Sequence, residues 1–335
     1  MNPRELSDAE VGELLGAYAL DACEPGETAA IEAVLARRPD LALEAARLAS
    51  VAAWLGAADA TEPPARMRAG VLDAAAARRM GPVDPVIDVY VSLSERLGQV
   101  IGDLPDDVLD VVTPNGLTAH DLVVHMAAQE SLLAQNLGTP TIDDLREEEI
   151  DPRTEALLPR FAGRELDDAV TLWRDSVEAN RAWAEANPDR TAIWRGLGLT
   201  RDDTLLVRAF ETWVHTEDLQ QACGRPRTPP EPRHLSLMSE LASRILPLAL
   251  AMAGGVHDGR TARLVLTGPG GGDWLVPLGA GDTTTEPDVT ITADVVDWCH
   301  LVGARVAPDE LRVVVDGDRE LGRDVVAAAP ALATL

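Results

Sequence analysis

Lysine is absent from this 335-residue chain: all 29 basic residues are arginine, against 56 acids, for a net charge of −27. So negative a surface repels phosphate backbones and anionic lipid, which argues against direct nucleic-acid or membrane binding and for simple solubility. Aromatics are scarce at 3%, so Ala, Leu and Val must fill most of the core, for which a 46% hydrophobic content is ample. The three cysteines, Cys23, Cys223 and Cys299, are odd in number, far apart and in no CxxC pair. That excludes a disulfide framework and favours a reducing compartment. No apolar run approaches the roughly 20 residues of a membrane span. The first residues, MNPRELSDAEVGELL, are acidic and lack an apolar signal core, so a cytoplasmic protein is expected.

What is present reads mostly as helix. Residues 1–80 predict short helices: Ser7 to Glu10 has capping-box spacing, and Val11, Leu14, Leu15 and Tyr18 recur at helical intervals. A second helix is expected over 27–38, a third from Pro39 to about 58, and a fourth after Pro63-Pro64 with Met67, Val71 and Leu72 as its stripe. The core of this piece is thin for independent stability. Gly81-Pro82-Val83-Asp84-Pro85 marks a boundary. Beyond it, amphipathic stretches at about 85–103, 117–136, 166–187, 201–222 and 232–253 predict an antiparallel bundle over 82–255. The connection 138–165 is long enough to be functional or to carry extra short helices. From 256 to 335 the pattern changes to a hairpin around Gly268–Gly272, a strand at 289–292, a helix, a strand at 311–315 and a last helix, a small α+β domain.

Chemistry concentrates in Glu211-Thr212-Trp213-Val214-His215. Four residues of separation put a carboxylate and an imidazole on one helix face, where both can converge on an ion, although such pairs also occur on ordinary solvated faces. His125, in Asp121-Leu122-Val123-Val124-His125-Met126, lies among apolar neighbours and reads equally as a hydrogen-bonded core histidine. His120 points elsewhere, towards the surface or the helix start. Two imidazoles and one carboxylate would leave a tetrahedral zinc one open position, the ligand count of a catalytic site. An open zinc also binds thiols and lowers their pKa.

Thr118-(x)2-Asp121-(x)3-His125, followed by Arg208-(x)2-Glu211-(x)-Trp213-Val214-His215-(x)2-Asp218, resembles the mycothiol-dependent maleylpyruvate isomerase family of DinB-like metal-binding bundles. The likeness spans about 82–335, including Leu266–Gly271 and Val314–Asp318 in the tail. It implies a mainly α fold with a DinB-like bundle, zinc on His125, Glu211 and His215, and mycothiol as thiol partner. It also implies a catalytic arginine from the C-terminal domain, for which Arg305 fits best. Leu117 departs from the family's usual Trp, which leaves the ligands untouched but alters packing beside them. Leu14–Ala22 and Ile31–Ala36 resemble the sigma-binding domain of anti-sigma factors. The positions of that domain's zinc motif hold Val34, Arg38 and Leu41, so a zinc-less variant is implied, with a sigma factor as partner of residues 1–80. A plain helical cap is the alternative.

Two functions follow as expectations. The main one is an anti-sigma-like regulator whose metal and thiol module senses a ligand. The other is an active zinc- and mycothiol-dependent isomerase or transferase with an N-terminal helical cap. Other features read as structural. Gly268–Gly272 lacks the Lys-Ser/Thr of a phosphate loop, Cys223 reads as a small buried hydrophobe, and Cys299 and His300 as packing beside Trp298.

Overall fold

The computed structural model describes residues 6–58, 84–142, 144–162, 166–281 and 286–334. It divides into two compact units, Met1–Gly81 and Pro82–Leu335. The fold class is mainly α, as expected, with one small mixed sheet.

In the first unit, α1 (Asp8–Ala19) opens with the expected capping box: the Ser7 side chain accepts from the Glu10 backbone N–H, and Glu10 reaches back to Ser7. Helix α2 (Pro25–Leu35) starts on a proline, whose missing N–H costs nothing at a helix start, and α3 runs Pro39–Ala58. Val11, Leu15, Ile31, Val34 and Ala45 form a small core with Leu6. Arg38 pairs with Asp8 and, at 2.6 Å, with Asp40. The expected helix bearing Met67, Val71 and Leu72 lies outside the described residues.

In the second unit, five long or medium helices form the bundle: α4 (Pro85–Gly102), α5 (Ala119–Asn136), α6 (Ile150–Phe161), α7 (Asp167–Ala186) and α8 (Arg201–Ala222). Helix α6 lies within the long connection. A hairpin of β1 (Thr191–Trp194) and β2 (Leu197–Thr200) leads directly into α8. The two central helices start alike: Thr118 caps α5 by accepting from the Asp121 N–H, and Thr200 caps α8 by accepting from the Asp203 N–H, each at 3.1 Å. The acids that follow each cap also face the positive end of the helix dipole.

The single stretch expected over 232–253 is instead two helices, α9 (Pro232–Arg244) and α10 (Leu246–Met252), bent by 48° at Ile245 with Pro247 just after it. Proline at the start of α10 lacks the N–H that would continue α9, so the helix restarts. Among the described residues no single helix is long and apolar enough to cross a membrane.

The tail builds a four-stranded sheet in the order β4-β3-β5-β6, from β3 (Thr261–Thr267), β4 (Gly272–Pro277), β5 (Val289–Asp294) and β6 (Val313–Gly317). β3 and β4 are antiparallel, β3 and β5 parallel. Helices α11 (Val295–Val302) and α12 (Arg319–Ala328) follow, and a terminal 3-10 turn covers Ala329–Thr334. The division expected near 255 falls inside this unit. Tyr90 of α4, Trp213 of α8, Met238 of α9, Leu264 and Ile291 of the sheet, and Trp298 of α11 share one buried core. A second core joins α4, α5, α6 and α7 around Leu97, Met126, Leu157 and Trp173. The sheet thus holds α11 against the bundle beside α8.

Candidate functional site

A cavity of about 610 Å³ opens among α5, α6, α8, α9 and the end of α11. His125, Glu211, His215 and Arg305 all line it, so the structure brings the four expected residues to one place. The rings of His125 and His215 meet edge to face with centroids 5.6 Å apart. His120, Cys223 and Cys299 do not line it: His120 bonds its neighbour Asp121 at 3.1 Å, and Cys299 is buried, which pushes its thiol pKa up.

The hydrogen bonds fix which nitrogen of each ring carries its proton. Thr154 of α6 donates its hydroxyl to the Ile150 carbonyl at 2.8 Å, so that hydroxyl can only accept from His125 Nδ1–H, 3.0 Å away. Nε2 of His125 is therefore a lone pair, and it accepts from the Gln129 amide N–H at 2.8 Å. The Gln129 amide cannot be flipped, because its Oε1 accepts from Arg208 Nη2. On the other helix His215 donates Nδ1–H to Asp218 Oδ2 at 2.9 Å. Asp218 is wholly buried and also accepts from Arg305 through Nε at 2.8 Å and Nη2 at 2.5 Å. Nε2 of His215 then faces Glu211 Oε2 at 3.3 Å.

The His215 Nε2 thus faces the Glu211 carboxylate, and the His125 Nε2 faces the Gln129 amide, whose N–H also lies 3.4 Å from Glu211 Oε2. The His215–Glu211 pair, largely buried side by side, needs a proton or a cation between its two acceptors. The protonation energetics agree. Burial, followed by the His215 charge, lowers the His125 pKa to about 3. Burial pulls the His215 pKa down as well, but hydrogen bonds to Asp218 and Glu211 outweigh it and raise the value. Burial pushes the Glu211 carboxyl up, yet the bond to His215 and its charge hold it down at about 2. One proton shared between His215 and Glu211 satisfies two of the three acceptors, and the Gln129 N–H, 2.8 Å from His125 Nε2, serves the third.

The donor set suits zinc. Ligands at about 2.0–2.1 Å from a tetrahedral ion stand about 3.3 Å apart, the separation of His215 Nε2 and Glu211 Oε2. Each imidazole also carries an outer partner on Nδ1, the arrangement that orients metal-bound histidines. Among the described residues no group of three His, Cys, Asp or Glu side chains already stands at metal-holding distances. The Gln129 amide lies between His125 and Glu211 and has to turn aside first.

Sequence reasoning missed Gln129 and Thr154. Gln129 lies one turn after His125, a spacing that offers a faint signal. Thr154 sits on a different helix, and nothing in the chain pointed to it. Arg208 and Asp218 belonged to the recognised spacing, but their roles come from the structure. Arg208 is fully buried with Glu130, at 3.0 Å, and lies 5.0 Å from the Trp194 ring centroid. Glu130 also accepts from Tyr90 Oη at 2.6 Å and Asn180 Nδ2 at 2.9 Å, so the floor of the site is a buried polar network. His300, read as packing, bonds Glu217 at 2.7 Å, and Glu217 accepts from Trp213 Nε1 at 2.9 Å, tying α11 to α8. Gly303 ends α11 against α8: a Cβ there would lie 2.9 Å from Val214 Cγ2. That close approach lets Arg305 reach Asp218. Arg305, expected as a catalytic group, holds Asp218 bidentately and donates Nη1–H to the Gly303 carbonyl at 2.8 Å.

Fold and site together define a helical-bundle protein whose pocket gathers two histidines and a glutamate beneath a small α+β tail. Residues 91–220 match the family model of the mycothiol maleylpyruvate isomerase N-terminal domain. Among solved structures the chain is similar to a mycothiol-dependent maleylpyruvate isomerase and to a histidine-to-alanine mutant of one. Each is 15% identical, covering 68% of this chain and 91% of the other, with TM-scores of 0.46 and 0.47. No curated protein matches the chain.

Proposed function

We propose that the protein is a zinc- and mycothiol-dependent isomerase or transferase, with zinc held by His125, Glu211 and His215. One observation carries the reading: the hydrogen bonds on Nδ1 leave the Nε2 of both imidazoles as acceptors in the cavity that Glu211 also lines, with His215 Nε2 3.3 Å from Glu211 Oε2. Zinc on three protein ligands keeps a position open and lowers the pKa of a thiol bound there. The chain's own residues do the rest. Thr154 and Asp218 fix the ring orientations, and Arg305 fixes Asp218. The family match of residues 91–220 supports the enzyme over the regulator, because it covers both helices that carry the three acceptors.

The test is elemental analysis of protein purified without chelator, with equimolar zinc expected. His125→Ala, Glu211→Ala and His215→Ala should each abolish it. A cobalt-substituted protein should gain a thiolate-to-metal absorption band on addition of thiol. Metal-free wild type would sink the reading.

A sigma-factor partner for residues 1–80 is a separate proposal. It rests on the likeness of that segment to anti-sigma domains and on exposed Leu20, Leu43 and Val51 in its described helices. Failure of the full-length protein to retain any sigma factor in a pull-down would remove it.

A further inference from the structure

Arg208 donates through two of its three nitrogens, Nε to Glu130 at 3.0 Å and Nη2 to Gln129 Oε1. Its Nη1 is buried with no hydrogen-bond partner among the described residues, although Arg208 lines the cavity. A buried donor left unmet is costly, and native folds keep few of them. Gln129 also donates to His125 Nε2 at 2.8 Å, so a single side chain separates Arg208 from the metal-site acceptors. The Arg208 guanidinium lies 5.0 Å from the Trp194 ring centroid, and the next residue, Arg195, lines the same cavity. Arg195 and Gly196 form the two-residue loop of the β1–β2 hairpin, with φ of 46° and 77°. Such a turn favours Asn followed by Gly, and arginine at its first place is strained. Asn136 of α5 holds the hairpin by donating to the Ile193 carbonyl at 3.0 Å. Among the described residues Glu130 pairs with Arg208 and Asp218 with Arg305, whereas Arg195 has no ion pair or hydrogen bond.

We infer that Arg208 Nη1 and Arg195 form an anion subsite in this cavity and that it anchors a carboxylate of the substrate. A carboxylate accepts N–H donors in its own plane, the geometry a guanidinium supplies, and its single charge matches the surplus charge of Arg195. A phosphate dianion would carry a second charge past Asp151 and Glu155, which also line the cavity from exposed positions of α6. The substrate class is therefore an organic acid. A second anionic group, a thiolate or another carboxylate, finds its charge at the metal, because zinc and Glu211 together retain one positive charge. As a statement about substrate the inference rests on the enzyme reading above, but carboxylate binding itself does not need the metal.

The test uses full-length protein stripped of metal with 1,10-phenanthroline, a neutral chelator, so that no zinc competes for the carboxylate. Butyrate is titrated by calorimetry and saturation-transfer NMR, with butyramide as its uncharged counterpart. We expect one butyrate per chain and about tenfold or more weaker binding of the amide. Arg208→Lys keeps a cation beside Glu130 but has no second nitrogen for a ligand, and should weaken butyrate about tenfold or more. Arg195→Asn suits the turn and removes the charge, so it should weaken butyrate about two- to fivefold without lowering Tm. Unchanged butyrate affinity in Arg195→Asn, or in an Arg208→Lys protein whose melt shows it folded, overturns the inference, as does butyramide bound equally tightly. Butyrate binding in a protein that takes up no zinc keeps this inference and removes the enzyme reading. Zinc uptake without butyrate binding does the reverse.

Discussion

Asp218→Asn separates orientation of the site from simple stability. Asp218 has no solvent exposure and receives three hydrogen bonds, one from His215 and two from Arg305. An amide of the same shape keeps one acceptor oxygen but removes the charge, and it cannot serve both partners. His215 then loses the anchor that holds Nδ1–H outward and the Nε2 lone pair inward. Losing such an outer partner typically lowers metal affinity about 10- to 100-fold, or about 1.4–2.7 kcal/mol. The same change leaves the Arg305 guanidinium, 13% exposed, without its counter-ion. Breaking a buried pair from one side costs about 3–5 kcal/mol, and partial exposure of Arg305 places this case near 3. For a unit of this size that lowers Tm by roughly 6–12 °C. The double variant Asp218→Asn/Arg305→Met removes the stranded charge and should recover most of the stability. It should not recover zinc affinity, because His215 still lacks its anchor. The assays are urea melts with chelator present and zinc titration against a competing chelator. Zinc affinity within threefold of wild type in Asp218→Asn would refute the orientation argument.

Gln129→Ala should strengthen zinc binding by roughly two- to twelvefold, since the ion no longer displaces a hydrogen bond of about 0.5–1.5 kcal/mol; weaker binding in a titration would show that Gln129 assists the ion. Arg208→Met should destabilise the protein by about 3–5 kcal/mol by stranding buried Glu130, and adding Glu130→Gln should restore much of that in the same melts. In chelated protein, His125 has a folded pKa of about 3, below its usual 6.5. A depressed histidine contributes stability that is full above pH 6.5 and is lost as pH falls from there towards 3. His125→Asn should flatten that limb between pH 6 and 4; an unchanged slope in acid melts would exclude His125 as its source.

The helices of the bundle were legible because their signals are local. Thr118 and Thr200 cap through atoms three residues on, and Pro85 and Pro232 mark starts whatever lies around them. The Glu211–His215 pair was legible for the same reason, since one helical turn aligns two side chains without help from the rest of the fold. The tail strands followed from alternation and the glycine turn, and all fell near their expected places. What the chain alone left open was whether His125 faces a pocket or a core, because its neighbours are apolar in either case. Only packing of α5 beside α8 turns it towards Glu211. The break of α9 at Ile245 was obscured by an apolar pattern that runs on through Pro247. The orientation of both imidazoles depends on Thr154, 29 residues from His125, and on Arg305, 87 residues beyond Asp218. Such contacts carry no periodic trace in a sequence. They arise where the sheet and the Gly303 approach press α11 against α8, and there the tertiary structure decides which groups can share a cation.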